Sequence, residues 1–182
     1  MKTDARVKYT RMVLKKALLE LLEHKPVNKI TVKEVCERAG LNRATFYAHY
    51  TDCFDLLESI EEELFGQFER SMQNYVQSFD IAALVDGLYG IIQENEAVCR
   101  VLLFGRRSTE LIHRMIVYAH DLSIASWRGT LKKASDDELE MLYLCLSNGL
   151  LSVILDGYDR FDRQSVIRFI DLMYHQATAP LL

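Results

Sequence analysis

The chain is poor in residues that break helices: 182 residues contain two prolines and eight glycines. So few interruptions leave room for long regular segments, and 49% of the side chains are hydrophobic, ample material for a core. An all-α fold is the first expectation. Cysteine is also sparse. Cys36, Cys53, Cys99 and Cys145 stand far apart, with neither the paired spacing of a zinc site nor the density of a secreted disulfide scaffold. Reduced thiols and no bound metal are expected. A run of about 18 apolar residues is missing, and the opening MKTDARVKYTRM is basic and polar where a secretory signal would be apolar. These features predict a cytoplasmic protein with no membrane partner. Catalytic signatures are absent too: there is no phosphate-binding glycine loop, no nucleophile motif and no His/Cys cluster at metal spacing, and His113, His120 and His175 are scattered. The expectation is a protein that is not an enzyme and needs no cofactor.

What is present is unevenly distributed. The net charge of −4 conceals a basic front and an acidic remainder. Residues 1–53 hold 11 Lys or Arg against 6 Asp or Glu, whereas the remaining residues hold 11 against 20. Such asymmetry points to one module built to meet a polyanion and another that is not.

Periodicity places the elements. Leu14, Ala17, Leu18, Leu21 and Leu22 recur at three- and four-residue spacing, predicting an amphipathic helix from Thr10 to about His24 that stops before Pro26. Thr31 followed by Glu34 is a capping box for a short helix through Ala39, and Gly40 stands where a helix exit favours a left-handed residue. Asn42 can cap the next short helix. Two short helices around a tight glycine turn make a helix-turn-helix over about residues 31–50. In its second helix, Phe46 and Tyr50 share a face that can close a core with Ile30, Val35 and Leu41. Arg43 with Tyr47, and Thr45 with His49, form two stripes that this core does not need. Arginine can fork to guanine in a major groove, threonine offers hydroxyl and methyl contacts, and tyrosine or histidine tips can donate to phosphate. Ala44 and Ala48 keep the helix slim. Ordinary surface packing would explain Tyr47 or His49 alone, but not the whole combination.

These residues resemble the TetR-like (TetR/AcrR) family of transcriptional regulators. The stretch ITVKEVCERAGLNRATFYAHYTDCFDLL follows its pattern of threonine, helix, Ala-Gly, short helix, Phe-Tyr-x-His-aromatic and a leucine-rich continuation, and with the preceding helix it covers roughly the first third of the chain. The resemblance implies a three-helix DNA-binding domain at 1–51, in which Arg43, Ala44 and Thr45 face bases while Thr31, Tyr47 and His49 hold phosphates. One departure stands out: Cys53 occupies the place of the family's usual lysine. The amide end of the helix that starts near Asp52 offers a substitute for that phosphate contact, with Asp52 opposing it. Lys8 and Arg11 add positive charge from the first helix. Cys53, in a first helical turn, has the position of a redox-sensitive thiol, but with no resolving partner nearby in sequence it reads as a passive small residue.

The resemblance also implies that residues 52–182 form a helical ligand-binding and dimerisation domain, for a total of about nine helices. Pattern and caps place helices over 52–77, 80–95, 96–104, from a Ser108 cap to about Leu131, from the SDDE capping box at 135–138 to Gly157, and from Asp162 to about Gln176, with GRRS as a break. The 135–157 helix is apolar on too many sides for a monomer's surface. In the family the two final helices form a four-helix bundle with their symmetry mates. Leu146, Gly149, Leu150, Val153, Phe169, Ile170 and Met173 are the corresponding interface candidates here. Tyr89, Phe104, His113, Tyr118 and Trp127 are candidate liners of a small-molecule pocket, although aromatic residues at helical spacing also suit plain core. The leading expectation is a homodimeric repressor on a palindromic duplex operator, released by a small-molecule inducer. A TetR-fold adaptor or coactivator, binding a protein through its acidic domain without an inducer, is the alternative, and a helical enzyme trails both.

Overall fold

A computed structural model of the chain describes residues 2–105 and 109–182. Among them the backbone forms nine α-helices and no strand, as the scarcity of breakers predicts. The chain divides into two compact units, Met1–Leu64 with Ala97–Ser108, and Phe65–Glu96 with Thr109–Leu182. The Ser108 cap, with Arg106 and Arg107 of the GRRS break, lies outside the described residues.

The first unit is built on α1 (Lys2–Leu22), α2 (Val32–Ala39), α3 (Arg43–Tyr47) and the opening turns of α4 (Cys53–Ser78). Helix α1 begins well before Thr10, where periodicity placed it. The earlier residues include neither Gly nor Pro, so the helix continues without a strong apolar stripe to announce it. Its inner face holds Leu14, Ala17, Leu18 and Leu22, as expected, with Leu19 added and Leu21 half-buried. Leu56, Ile60 and Leu64 of α4 are buried in the same unit, as are Cys99 of α6 (Glu96–Cys99) and Val101, Leu102 and Leu103 of the π-helical turn after it. Lys15 of α1 pairs with Glu63 of α4. The opening of α4 therefore packs with the reader helices, beyond the 51/52 boundary that the resemblance implies.

The second unit holds the remainder of α4 with α5 (Ile81–Glu94), α7 (Thr109–Thr130), α8 (Asp136–Gly157) and α9 (Arg163–Thr178). Side-chain caps start three of these helices. Asp80 accepts from the Ala83 amide, Ser135 from Glu138 and Asp162 from Ser165. Helix α5 packs along α9 and α7 along α8. Arg163, the first residue of α9, clamps α5 by donating to Asp86 Oδ1 at 2.8 Å, to the Asp86 carbonyl at 3.0 Å and to Gln93 at 2.8 Å. Helix α8 is long and apolar enough, by length and composition, to cross a membrane. Ser147, Asn148, Gly149 and Ser152 interrupt its apolar run.

The capping box at the start of α2 has an electrostatic partner. Thr31 Oγ1 accepts from the Glu34 amide at 3.3 Å, Glu34 accepts from the Thr31 amide at 2.9 Å, and Lys25 Nζ lies 2.5 Å from the same carboxylate. The Lys25 ammonium first, then the Thr31 amide and hydroxyl, pull the Glu34 carboxyl from its ordinary 4.5 to about 2. Because the folded value lies below the unfolded one, the stabilisation is complete above the ordinary value and is lost as pH falls through the folded one. Between pH 4.5 and 2, thermal melts followed by circular dichroism should show a steeper loss of stability for the wild type than for Glu34→Gln. Equal slopes would mean that the cluster contributes nothing to stability.

Candidate nucleic-acid interface

The turn between α2 and α3 is fixed by backbone geometry before any side chain reaches outward. Gly40 adopts φ 66°, ψ 29°, a left-handed conformation that costs an L-residue about 1–2 kcal/mol. The amides of Gly40 and Leu41 return to the carbonyls of Glu37 and Cys36 at 3.4 and 2.9 Å, closing α2. Asn42 Oδ1 then accepts from the Thr45 amide at 2.8 Å and the Thr45 hydroxyl at 3.0 Å, opening α3. The helix itself is only five residues long. Phe46 has no exposed surface, Tyr50 and Val35 are buried beside it, and Leu41 is half-buried. Phe46 meets Tyr47 edge-on, with ring centroids 5.6 Å apart.

With Phe46 turned inward, the rest of the short helix faces out. Arg43, Ala44 and Ala48 are exposed, Tyr47 is 57% exposed, and Thr45 and His49 are half-buried. These placements match the two stripes read from the sequence. Two expected phosphate contacts are already engaged within the chain. The Thr31 hydroxyl donates to Glu34 Oε2 at 2.9 Å and must turn to serve a phosphate. At the start of α4, Asp52 Oδ1 accepts from the amides of Phe54 and Asp55 at 2.8 and 2.9 Å, so this helix end already has its own anion. Cys53 is buried, and burial pushes its thiol up to about 11. It is therefore a passive core residue rather than a reactive thiolate. Its neighbour Phe54 is exposed.

In the second unit, an apolar cavity of about 90 Å³ lies among α4, α5, α7, α8 and α9. Of the aromatic residues singled out as pocket liners, Trp127 lines it. The other four are placed differently. His113 is on an exposed face of α7, and Phe104 belongs to the first unit. Tyr118 packs against Phe65 and Phe68, and Tyr89 stacks on Tyr158 at 5.5 Å. Helical spacing marks them as core but does not indicate which core they join. The cavity also takes in Tyr75, Tyr143 and Tyr174; the last two belong to the apolar stripes of α8 and α9.

The interface candidates divide in a similar way. Leu146, Leu150, Ile170 and Met173 line the cavity of their own chain. Phe169, Met173 and Gly149 are exposed, and Val153 is half-buried. The most exposed apolar residues of these two helices include Met141, Leu144 and Leu172, which are not among the interface candidates; Leu144 is 56% exposed and Leu172 57%. The stripe chosen from the sequence was the denser one, and the chain's own core claims part of it.

A glycine-closed turn, a capped short helix with one inward aromatic anchor, and a basic-aromatic outer face make a helix-turn-helix of the kind that reads DNA. Comparison with known proteins agrees. Residues 14–60 match the model of the bacterial regulatory proteins of the tetR family. Over 51 residues the chain is 37% identical to the uncharacterised HTH-type transcriptional regulator YxbF of Bacillus subtilis, a match spanning 28% of this chain and 13% of that protein. The fold resembles that of the fatty acid degradation regulator FadR from Bacillus halodurans, with TM-score 0.65, 13% identity and coverage of 91% of this chain and 94% of that one. It also resembles a TetR-family transcriptional regulator from Haemophilus influenzae, with TM-score 0.60, 16% identity and 97% coverage of both chains. At such identities the likeness is one of fold. Over residues 14–60, within its N-terminal third, the chain carries the sequence pattern of the tetR family.

Anchor and outer face should separate experimentally. Phe46→Ala removes a fully buried aromatic and should cost about 3–5 kcal/mol in chemical denaturation. Tyr47→Phe, which removes only an exposed hydroxyl, should stay within about 0.5 kcal/mol. Similar losses for the two would refute the division of α3 into inner and outer faces.

Proposed function

We propose that the protein is a dimeric transcriptional repressor that holds two half-sites of a palindromic duplex operator and is released by a small molecule bound in its second unit. The observation that carries this reading is the outward stripe of α3: Arg43, Ala44 and Tyr47 stand exposed on a helix whose single large apolar anchor points inward. In it, residues 1–51 act as the DNA reader and 52–182 as the ligand-binding and dimerisation domain. Arg43, Ala44 and Thr45 face bases, while Tyr47, His49 and a reoriented Thr31 take phosphates. A cytoplasmic location goes with this role.

Two copies of a reader with a single recognition helix reach two half-sites when those helices stand about 34–36 Å apart. The exposed apolar side chains of α8 and α9 supply the symmetric contact. Gly149 supports this use: a Cβ built there meets nothing within 4 Å in its own chain, so the chain's own packing does not require glycine at that position. Release by a ligand follows if binding in the second unit favours a different spacing of the two readers, because a ligand with equal affinity for both states shifts neither. Helix α4 is the covalent route, running unbroken from Cys53 in the first unit to the cavity residues Met72 and Tyr75 in the second.

DNA selected from a random pool provides the test of the reader. Arg43→Ala should lose about 1–3 kcal/mol of discrimination at one base position per half-site, while Tyr47→Phe weakens selected and random DNA alike. Equal losses on both DNAs for Arg43→Ala would overturn its base-reading role. Sedimentation tests the dimer. Gly149→Leu should leave the helical content of the chain intact and disrupt assembly, as should Leu144→Glu. A wild type that stays monomeric at micromolar concentration would contradict the proposal.

A further inference from the structure

Three hydrogen-bonding groups meet at the wall of the second unit's cavity and cannot all satisfy one another. Trp127 Nε1 donates to the Tyr75 hydroxyl at 3.1 Å, and the hydroxyls of Tyr75 and Tyr174 lie 3.0 Å apart. An indole nitrogen only donates, whereas each phenol brings one hydrogen and can also accept. The three groups thus carry three hydrogens for two contacts. One goes from Trp127 to Tyr75 and one lies between the phenols. The third, on one of the phenols, meets no acceptor among the described residues. All three residues are buried, and all three line the cavity. Burial also pushes the Tyr75 hydroxyl well above its ordinary value, so it keeps its proton.

The other walls state what the guest must be. Leu84, Leu150 and Ile170 make them mostly apolar, Met72 and Met173 make them adaptable, and Ser123 and Ser147 add two hydroxyls. No Asp, Glu, Lys, Arg or His lines the cavity, so a charged guest would be desolvated without a counter-ion.

We infer that the cavity binds a compact neutral compound whose carbonyl or hydroxyl oxygen accepts the spare phenol hydrogen. This assignment rests on the second unit being the regulatory half of the proposed repressor. It makes the pocket selective for oxygen where the phenols meet in a mostly apolar lining. A hydrocarbon of the same outline leaves the donor unmet, and a carboxylate brings an unpaired charge.

Cyclopentanone, its hydrocarbon isostere methylenecyclopentane, and decanoate are suitable probes on the full chain. Trp127 is the sole tryptophan, so its emission reports occupancy directly. Cyclopentanone should alter that emission, raise the melting temperature and bind about tenfold more tightly than methylenecyclopentane. The infrared carbonyl band of the bound ketone should lie lower than in an apolar solvent. In the Tyr75→Phe/Tyr174→Phe double variant both the preference and the band shift should disappear. If that variant does not fold, the wild-type comparison and the infrared band still decide. Tighter binding of methylenecyclopentane, or an unshifted carbonyl band, would overturn the donor. A preference for decanoate would overturn the charge class, and silence from every probe would overturn the site. If cyclopentanone binds and leaves the affinity for selected DNA unchanged, the assignment of the cavity stands and ligand release fails.

Discussion

A single side chain, Phe46, holds the reading face in place. A helix of five residues cannot sustain itself, because the cost of nucleating one turn exceeds what so few backbone hydrogen bonds return. Helix α3 persists because Phe46 is driven completely out of water, Gly40 closes the preceding helix and Asn42 opens this one. Once Phe46 is fixed inward, helical geometry leaves no freedom in where Arg43 and Tyr47 point. The outer face is therefore a by-product of the inner one, and its accuracy is that of a packed core.

The second unit faces the opposite problem, too much apolar surface for one chain to hide. Helices α8 and α9 divide it between two sides. Leu146, Leu150 and Ile170 turn toward the cavity, while Leu144, Phe169 and Leu172 stay in the open. In the proposed repressor these two sides are neighbours on the same helices, so a guest pressing on the inner rows acts on the elements that join two copies. No separate relay is needed.

The parts of the fold legible in the sequence are those whose cause is local. The capping boxes at Thr31 and Ser135, the left-handed Gly40 and the caps at Asn42, Asp80 and Asp162 each depend on residues a few positions apart. The outward stripe of α3 was legible for the same reason. The start of α1 was not, because a run of good helix formers without an apolar rhythm gives no boundary. The cavity was the least legible. Tyr75 and Tyr174 are brought together from 99 residues apart, a separation at which neither spacing nor composition carries a signal. Phe104 was misplaced as a pocket liner because the chain returns to the first unit at Ala97–Ser108, a tertiary event invisible to periodicity. His113 fell on an outer face of α7 because two aromatic neighbours in a pattern need not share a side.

The internal ion pairs of the first unit bear on how such a regulator finds its target. Of its basic side chains, Lys15, Lys25, Lys33 and Arg38 are matched with Glu63, Glu34, Glu37 and Glu20. Each cation held in this way releases no counterion when the protein meets a duplex, and counterion release supplies the sequence-blind part of DNA affinity. In the proposed reader these four cations therefore add less to sequence-blind affinity than their number suggests, and that part of the grip falls to the basic residues outside these pairs.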